Sequence, residues 1–160
     1  MAYMRYKELT KYFNFSRGLS EDTLPKYVFD YIYEDEQILD SYKTSRDVGV
    51  FTDRKIILFD HPFSFMILDK KKEVTIIPYT SISTCSIIFR PGHAELFLMF
   101  HNAYPLRLKF KNMRSKEKEC LRKLYYCISK VVTGDNFNEA DVESLRKSIN
   151  TIKTNGAEKQ

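Results

Sequence analysis

Between residues 38 and 111, short apolar segments alternate with turn signals, and this pattern predicts an antiparallel β architecture. The segments are rich in β-branched and aromatic residues, which favour strands. Asp53-Arg54 is typical of a hairpin turn between two of them, and Pro91-Gly92 marks another turn. We therefore predict a mainly β fold of about seven short strands in a sandwich or barrel, drawn from segments 38–44, 48–52, 55–59, 63–68, 74–77, 83–89, 94–101 and 106–111.

The last of these segments and the stretch after it predict a strand followed by an amphipathic helix. Apolar and basic residues alternate from Leu106 to Lys111, as expected of a strand with one face in the core and the other in water. We predict a helix from about Arg114 to Val132, ended by Gly134. It would cover one open end of the curled sheet with an apolar face made of Cys120, Leu121, Leu124, Cys127, Ile128 and Val131.

The segments that flank residues 35–132 predict helix and coil. Residues 1–34 form an N-terminal extension with a short helix over residues 4–15 and a second helix that begins near Pro25, because proline is favoured at the first helical position. Residues 133–160 form a polar tail, partly helical from Phe137 to Ile152 and disordered from Thr154 onward.

The chain carries no residue pattern typical of an enzyme, a metal site or a cofactor site. It has no Gly-x-Ser-x-Gly, no His-Glu-x-x-His and no glycine-rich phosphate loop. His93 and Glu95 share one face of a predicted strand, but a metal site needs three or four converging ligands. Cys85, Cys120 and Cys127 are predicted to be buried, reduced thiols. We expect no catalytic residue, no cofactor and no small-molecule substrate.

Three stretches together carry a family resemblance. The first is Asp35-Glu36-Gln37-Ile38-Leu39, which enters the first predicted strand. The second runs from Arg46 to Ile57 and reads RDVGVFTDRKII. The third joins the Lys-Lys-Lys-Glu turn at 70–73 to the IPYTSI stretch at 77–82. Over roughly residues 35–132 this combination resembles the bacterial pleckstrin-homology (PH) domain family, although Asp69 stands where that family has glycine before the lysines.

The resemblance implies a seven-stranded PH-like barrel capped by a C-terminal amphipathic helix. It also implies homo-oligomeric assembly, often as a ring, and it implies no established biochemical activity. We therefore expect a non-enzymatic, cytoplasmic binding and assembly module whose partners are further copies of itself and an unidentified protein.

Phe97 and Met99 are the candidate residues for the oligomer interface. In the predicted strand 94–101, Leu96 and Leu98 should face the core, so Phe97 and Met99 should face outward. The segment 56–59 shows the same two-sided apolar pattern. Large apolar residues on an outer face need a cover, which is either the N-terminal extension of the same chain or another subunit.

The charge distribution suggests how copies of the chain would meet. Residues 21–47 contain eight acidic residues against three bases, and residues 107–123 contain eight bases against two acids. Head-to-tail contacts join two different patches and can close into rings, so an acidic patch facing a basic one would suit them. The same charges would also suit pairing within one chain. An acidic counterpart of this kind is unusual in a nucleic-acid-binding protein, and we expect no nucleic acid as partner.

The alternative interpretation is a peripheral module that binds anionic lipid headgroups at the inner face of the membrane. In eukaryotic PH domains, basic residues near the open end of the barrel bind inositol phosphates, and each cation near an anionic surface contributes about 1 kcal/mol. The candidate residues for this role are Lys43, Arg46, Arg54, Lys70, Lys71 and Lys72.

Overall fold

The computed structural model describes residues 12–44, 47–60, 73–101 and 105–157, and within them two β-sheets and two α-helices. Short 3-10 helices span Glu21–Thr23, Lys26–Tyr31 and Tyr79–Ser81. The predicted apolar segment 63–68 lies outside the described residues. The strands are β1 (Tyr12–Phe15), β2 (Arg17–Gly18), β3 (Ile38–Lys43), β4 (Val48–Thr52), β5 (Lys55–Asp60), β6 (Glu73–Pro78), β7 (Ile82–Arg90), β8 (His93–Phe100) and β9 (Pro105–Lys111), and the α-helices are α1 (Ser115–Val132) and α2 (Glu139–Ala157).

The two sheets confirm the predicted mainly β fold. One has the order β1-β9-β8-β7 and the other the order β2-β3-β4-β5-β6. Neighbouring strands are antiparallel except for β1 and β9, which run parallel. Strands β3 to β9 correspond to seven of the eight predicted segments, all except 63–68. Pro78 ends β6, which is an edge strand, where a residue without an N–H group is tolerated.

The main core lies between the two sheets and is closed by α1, as the apolar face of that helix predicts. Leu96, Leu108 and Phe110 enter it from the four-stranded sheet, and Phe51 and Ile56 enter it from the five-stranded sheet. Its helical part comes from Cys120, Leu121, Leu124, Cys127 and Ile128 of α1 and from Val142, Leu145 and Ile149 of α2.

The predicted helix over residues 4–15 is wrong for its described part, because Tyr12–Phe15 is strand β1, which pairs with β9. Residues 4–11 lie outside the described residues. The chain then passes through Ser16 into β2, which pairs with β3 of the other sheet, so one N-terminal stretch joins both sheets. Phe15 is fully buried at this junction, with its ring 5.9 Å from Tyr42 and 5.4 Å from Phe110.

The second predicted N-terminal helix is present only as short 3-10 turns. Pro25 precedes the turn Lys26–Tyr31 and does not lie within it. We call residues 19–32 the N-terminal cover, because its apolar side chains pack on the five-stranded sheet. At the other end of the chain α2 extends past Thr154 to Ala157, where the sequence predicts disorder. Burial of Val142, Leu145 and Ile149 against the core explains why a weakly apolar segment forms a long helix.

Candidate binding surfaces

The outer face of the five-stranded sheet is covered by the chain itself. Val50, Ile57 and Phe59 point away from the main core and are fully buried. Leu24 and Val28 of the N-terminal cover pack on them. The N-terminal extension is therefore what covers the two-sided apolar segment 56–59.

A buried ion pair joins Glu36, which lies shortly after the N-terminal cover, to Lys55 at the start of β5. The Nζ of Lys55 lies 2.8 Å from Oε2 of Glu36, and both side chains are almost fully buried. Thr52 donates its hydroxyl hydrogen to Oε1 of Glu36, and the backbone N–H of Tyr33 donates to Oε2. Burial alone would raise the pKa of Glu36, but these hydrogen bonds and the Lys55 charge outweigh it and hold that pKa below its usual range.

The outer face of the four-stranded sheet is more open. Phe97 and Met99 lie on this face of β8 and are partly buried, and Ile88 of β7 is 46% exposed. The guanidinium of Arg107, from β9, lies 5.6 Å from the centre of the Phe97 ring. Lys109 follows on the same face, opposite Glu95. Within the described part of the chain, no helix packs on these residues as the N-terminal cover packs on the other sheet.

The N-terminal cover presents acidic and aromatic side chains to solvent. Phe29 is 44% exposed, and Tyr31 and Asp30 are exposed beside it. Just beyond the cover, Tyr33 is 59% exposed and Glu34 is exposed as well. Because the cover lies outside one sheet and Phe97 lies outside the other, the main core separates the two surfaces.

The acidic segment 21–47 forms ion pairs within the chain, and those described do not involve the basic segment 107–123. Glu21 pairs with Arg146 of α2, and Asp35 pairs with Arg54. Glu36 pairs with Lys55. The acidic segment therefore pairs within the chain, but none of these three ion pairs joins it to segment 107–123, which is the pairing that the sequence left open.

The structure does not bring together the two described members of the candidate lipid-binding set. Lys43 is at the end of β3, level with Val48, whereas Arg54 is in the β4–β5 turn at the opposite end of that sheet. Arg54 is held by Asp35, whose pKa is lowered chiefly by that hydrogen bond. Arg46, Lys70, Lys71 and Lys72 lie outside the described residues.

A cavity of about 210 Å³ opens where β2 and β3 meet the loop after β9 and the two α-helices. Asp40 and Tyr42 of β3 form its buried polar wall, with the Tyr42 hydroxyl donating to Oδ2 of Asp40 at 2.6 Å. Burial, followed by the charge of Asp40, raises the pKa of Tyr42 well above its ordinary value. The sequence analysis did not predict this cavity. The available signal was the pair Asp40 and Tyr42, two polar residues that share one face of a strand in the core.

The described residues contain no group of three or more His, Cys, Asp or Glu side chains placed to hold a metal ion. Cys120 and Cys127 are buried, and burial raises the pKa of the Cys127 thiol. Burial also raises the pKa of Cys85, which lowers the reactivity of its thiol. None of the described helices is long and apolar enough to cross a membrane.

Two sheets closed by α1 are the architecture of a PH domain, and a comparison with protein families agrees. The family model for the bacterial PH domain matches residues 9–132. The chain belongs to the bacterial PH domain family. The match begins before β1, so the N-terminal strand and the cover lie within the region that the family model spans. No curated protein matches the chain.

Solved structures of other bacterial PH proteins share this fold. A DUF1696 family protein with a pleckstrin-homology domain from Shewanella loihica PV-4 is 22% identical, with a TM-score of 0.54, over 72% of this chain and 95% of that one. A PH domain-containing protein from Exiguobacterium sibiricum 255-15 is 16% identical, with a TM-score of 0.55, over 73% and 62%. A PH domain from Shewanella amazonensis SB2B is 22% identical, with a TM-score of 0.50, over 71% and 89%. At these identities the likeness extends to the fold alone.

Proposed function

We propose that this PH domain is a non-enzymatic binding and assembly module that associates with further copies of itself and presents the assembly to another protein in the cytoplasm. The observation that carries the proposal is the partly open apolar face formed by Phe97 and Met99. Large apolar side chains on an outer sheet face are typical of a surface that a partner covers. The equivalent residues of the five-stranded sheet are covered within the chain.

The partner surface in this proposal is the N-terminal cover of the next copy, together with Tyr33 and Glu34 just beyond it. Asp30 and Glu34 are exposed around the exposed aromatic residues Phe29 and Tyr33. The face that carries Phe97 is bordered by Arg107 and Lys109. Aromatic residues are enriched at protein interfaces, and opposite charges on two different patches favour head-to-tail contacts. Two patches on opposite sides of the core leave each copy free to contact two neighbours.

Light scattering on the purified chain tests the proposal. We expect a mass above the 19.0 kDa of one chain at low salt, and a return toward that mass in the double variant Phe97→Ser/Met99→Ser. Ile76→Ser is the matched control, because Ile76 is an exposed apolar residue on β6 of the other sheet. A mass of one chain at both low and high salt, over the micromolar range, would contradict self-association through this face.

A second candidate function is the binding of anionic lipid headgroups. Arg17 of β2 lies directly opposite Lys43 of β3, and like charges at paired positions destabilise a sheet unless an anion lies between them. The end of β3, the start of β4 and the end of β5 lie at this same end of the five-stranded sheet, since Lys43 is level with Val48 and Val48 with Phe59.

Co-sedimentation with vesicles tests this second candidate. Binding to phosphatidylglycerol vesicles, but not to phosphatidylcholine vesicles, should weaken in Arg17→Gln/Lys43→Gln. Binding that survives Lys70→Ala/Lys71→Ala/Lys72→Ala would exclude the lysine turn from the site, and equal binding to both vesicle types would contradict headgroup recognition.

A further inference from the structure

The cavity beside Asp40 and Tyr42 is lined by residues that take no part in the self-association surfaces proposed above. Its lining includes the apolar side chains of Met113, Ile149 and Ile152. The buried Asp40–Tyr42 pair supplies part of its polar lining. A concave apolar wall with a few converging polar groups is the usual character of a small-molecule site.

One carboxylate oxygen beside this cavity is buried without a hydrogen bond. Oε2 of Glu117, on the first turn of α1, has no partner in the described part of the chain. A buried acceptor without a donor is uncommon in native proteins, because burial removes its hydrogen bonds to water and no protein donor replaces them. Because Glu117 lines the cavity, a ligand that brings a donor group could satisfy this oxygen.

The cavity is also lined by two cations, so its ionisable groups are of both signs. Arg17 and Lys111 contribute positive charge, and Asp40 and Glu117 contribute negative charge. The Tyr42 hydroxyl donates to Asp40, so that hydroxyl hydrogen is already used within the chain. A ligand that complements this arrangement carries one cationic and one anionic group, with an apolar body.

We propose that the cavity binds a small zwitterion of the α-amino-acid class. Its ammonium group lies at Glu117, its carboxylate faces Arg17 and Lys111, and its side chain packs on Met113, Ile149 and Ile152. A volume of about 210 Å³ is enough to enclose a small amino acid. The chain would then have a small-molecule partner that its sequence does not suggest.

Isothermal titration calorimetry with the full chain and L-leucine tests the proposal. Two analogues separate the contributions of the charged groups, since 4-methylpentanoate lacks the ammonium group and 3-methylbutylamine lacks the carboxylate. We expect saturable binding of L-leucine and at least tenfold weaker binding of each analogue. No saturable binding of leucine, valine, methionine or proline would overturn the proposal, and so would equal binding of leucine and both analogues.

Two variants test whether the binding occurs in this cavity. Glu117→Gln keeps the shape of the side chain and removes its charge, and we expect at least tenfold weaker binding of L-leucine. Glu119→Gln is the matched control, because Glu119 is an exposed residue two positions further along the same helix, and its variant should bind normally. Equal affinity of both variants would place the bound leucine elsewhere and contradict the assignment. Thermal unfolding of each variant checks that it is folded.

Discussion

The outer faces of the two sheets differ in how far their apolar side chains are covered. Both carry large apolar side chains, Phe59 on one and Phe97 on the other. The chain buries Phe59 completely under the N-terminal cover, whereas Phe97 is partly buried and has the Arg107 guanidinium over its ring. One face thus contributes to the stability of the single chain, and the other is less covered by the residues that the structure describes. An apolar pattern alone does not distinguish these two arrangements, since both strands show it.

Replacing the aromatic residue on each face should give the largest contrast. Phe59→Ala should lower the free energy of unfolding by about 3–5 kcal/mol, because it leaves a cavity under the Tyr27 and Tyr31 rings, 5.3 and 5.6 Å away. Phe97→Ala should cost only about 1 kcal/mol, the usual size for a site that is not fully buried. Urea unfolding measures both, and equal losses would mean that the two faces are equally covered.

Removing the buried carboxylate near the cover should have an effect of similar size. Glu36→Ala leaves the Lys55 ammonium buried without its partner, and we expect a loss of about 3–5 kcal/mol. The double variant Glu36→Leu/Lys55→Met removes both charges and should be clearly more stable than Glu36→Ala in the same urea experiment. A double variant as unstable as the single one would mean that the lost packing and hydrogen bonds, and not the unpaired charge, cause the effect.

The junction of the two sheets should tolerate little added volume. A Cβ atom at position 49 would lie 2.9 Å from Cε1 of the Phe15 ring, which is fully buried and enclosed by other aromatic residues. Gly49→Ala should therefore destabilise the chain by about 1–3 kcal/mol through overpacking. Phe15→Leu in the Gly49→Ala background provides the control, and it should recover part of the loss if the clash with the ring is the cause.

The Glu36 site should also make the covered face sensitive to acid. Its pKa is lowered in the folded chain, so its contribution to stability is complete above the unfolded-state pKa of about 4.3 and is lost as the pH falls through the folded value. Urea midpoints measured from pH 7 to pH 3 should fall, and the fall should be shallower in Glu36→Gln. An identical pH dependence in the two proteins would show that other carboxylates cause the loss of stability at low pH.

Charge reversal on the open face should change assembly and leave stability almost untouched. Arg107→Glu/Lys109→Glu should alter the free energy of unfolding by about 0.5 kcal/mol or less, since both are surface substitutions. In light scattering at low salt the same variant should dissociate, and a mixture with Asp30→Lys/Glu34→Lys should associate again. Unchanged mass in each single-patch variant would argue against contacts between these patches.

The parts of the fold that could be predicted are those specified by neighbouring residues. The alternation from Leu106 to Lys111 predicts β9, and the apolar stripe from Cys120 to Ile128 predicts α1, because both patterns repeat within a few residues. The same local reasoning was wrong for Tyr12–Phe15, where the strand exists because β9 lies beside it. The pattern of residues 12–15 contains no information about a partner that distant.

The sites depend on contacts that the sequence does not display. Phe97 and Met99 could be predicted, since alternation along β8 places them outside the core. The cavity could not, because Asp40 and Glu117 are brought to it by the packing of α1 against the sheets. The Glu36–Lys55 pair was missed as well, although a lysine at the start of an otherwise apolar strand is a visible signal that the charge needs a partner.

Strand β1 has a consequence for the order in which the chain acquires its structure during synthesis. Its partner β9 lies more than 90 residues further along, and the Asn112 side chain that donates to the Ser16 carbonyl is 96 residues away. Because synthesis runs from the N-terminus to the C-terminus, β1 stays unpaired with β9 until residue 111 has left the ribosome. Contacts of such sequence separation form slowly, because a long loop must close before they contribute. Strand β1 is thus made well before β9 but pairs only after β9 has been made.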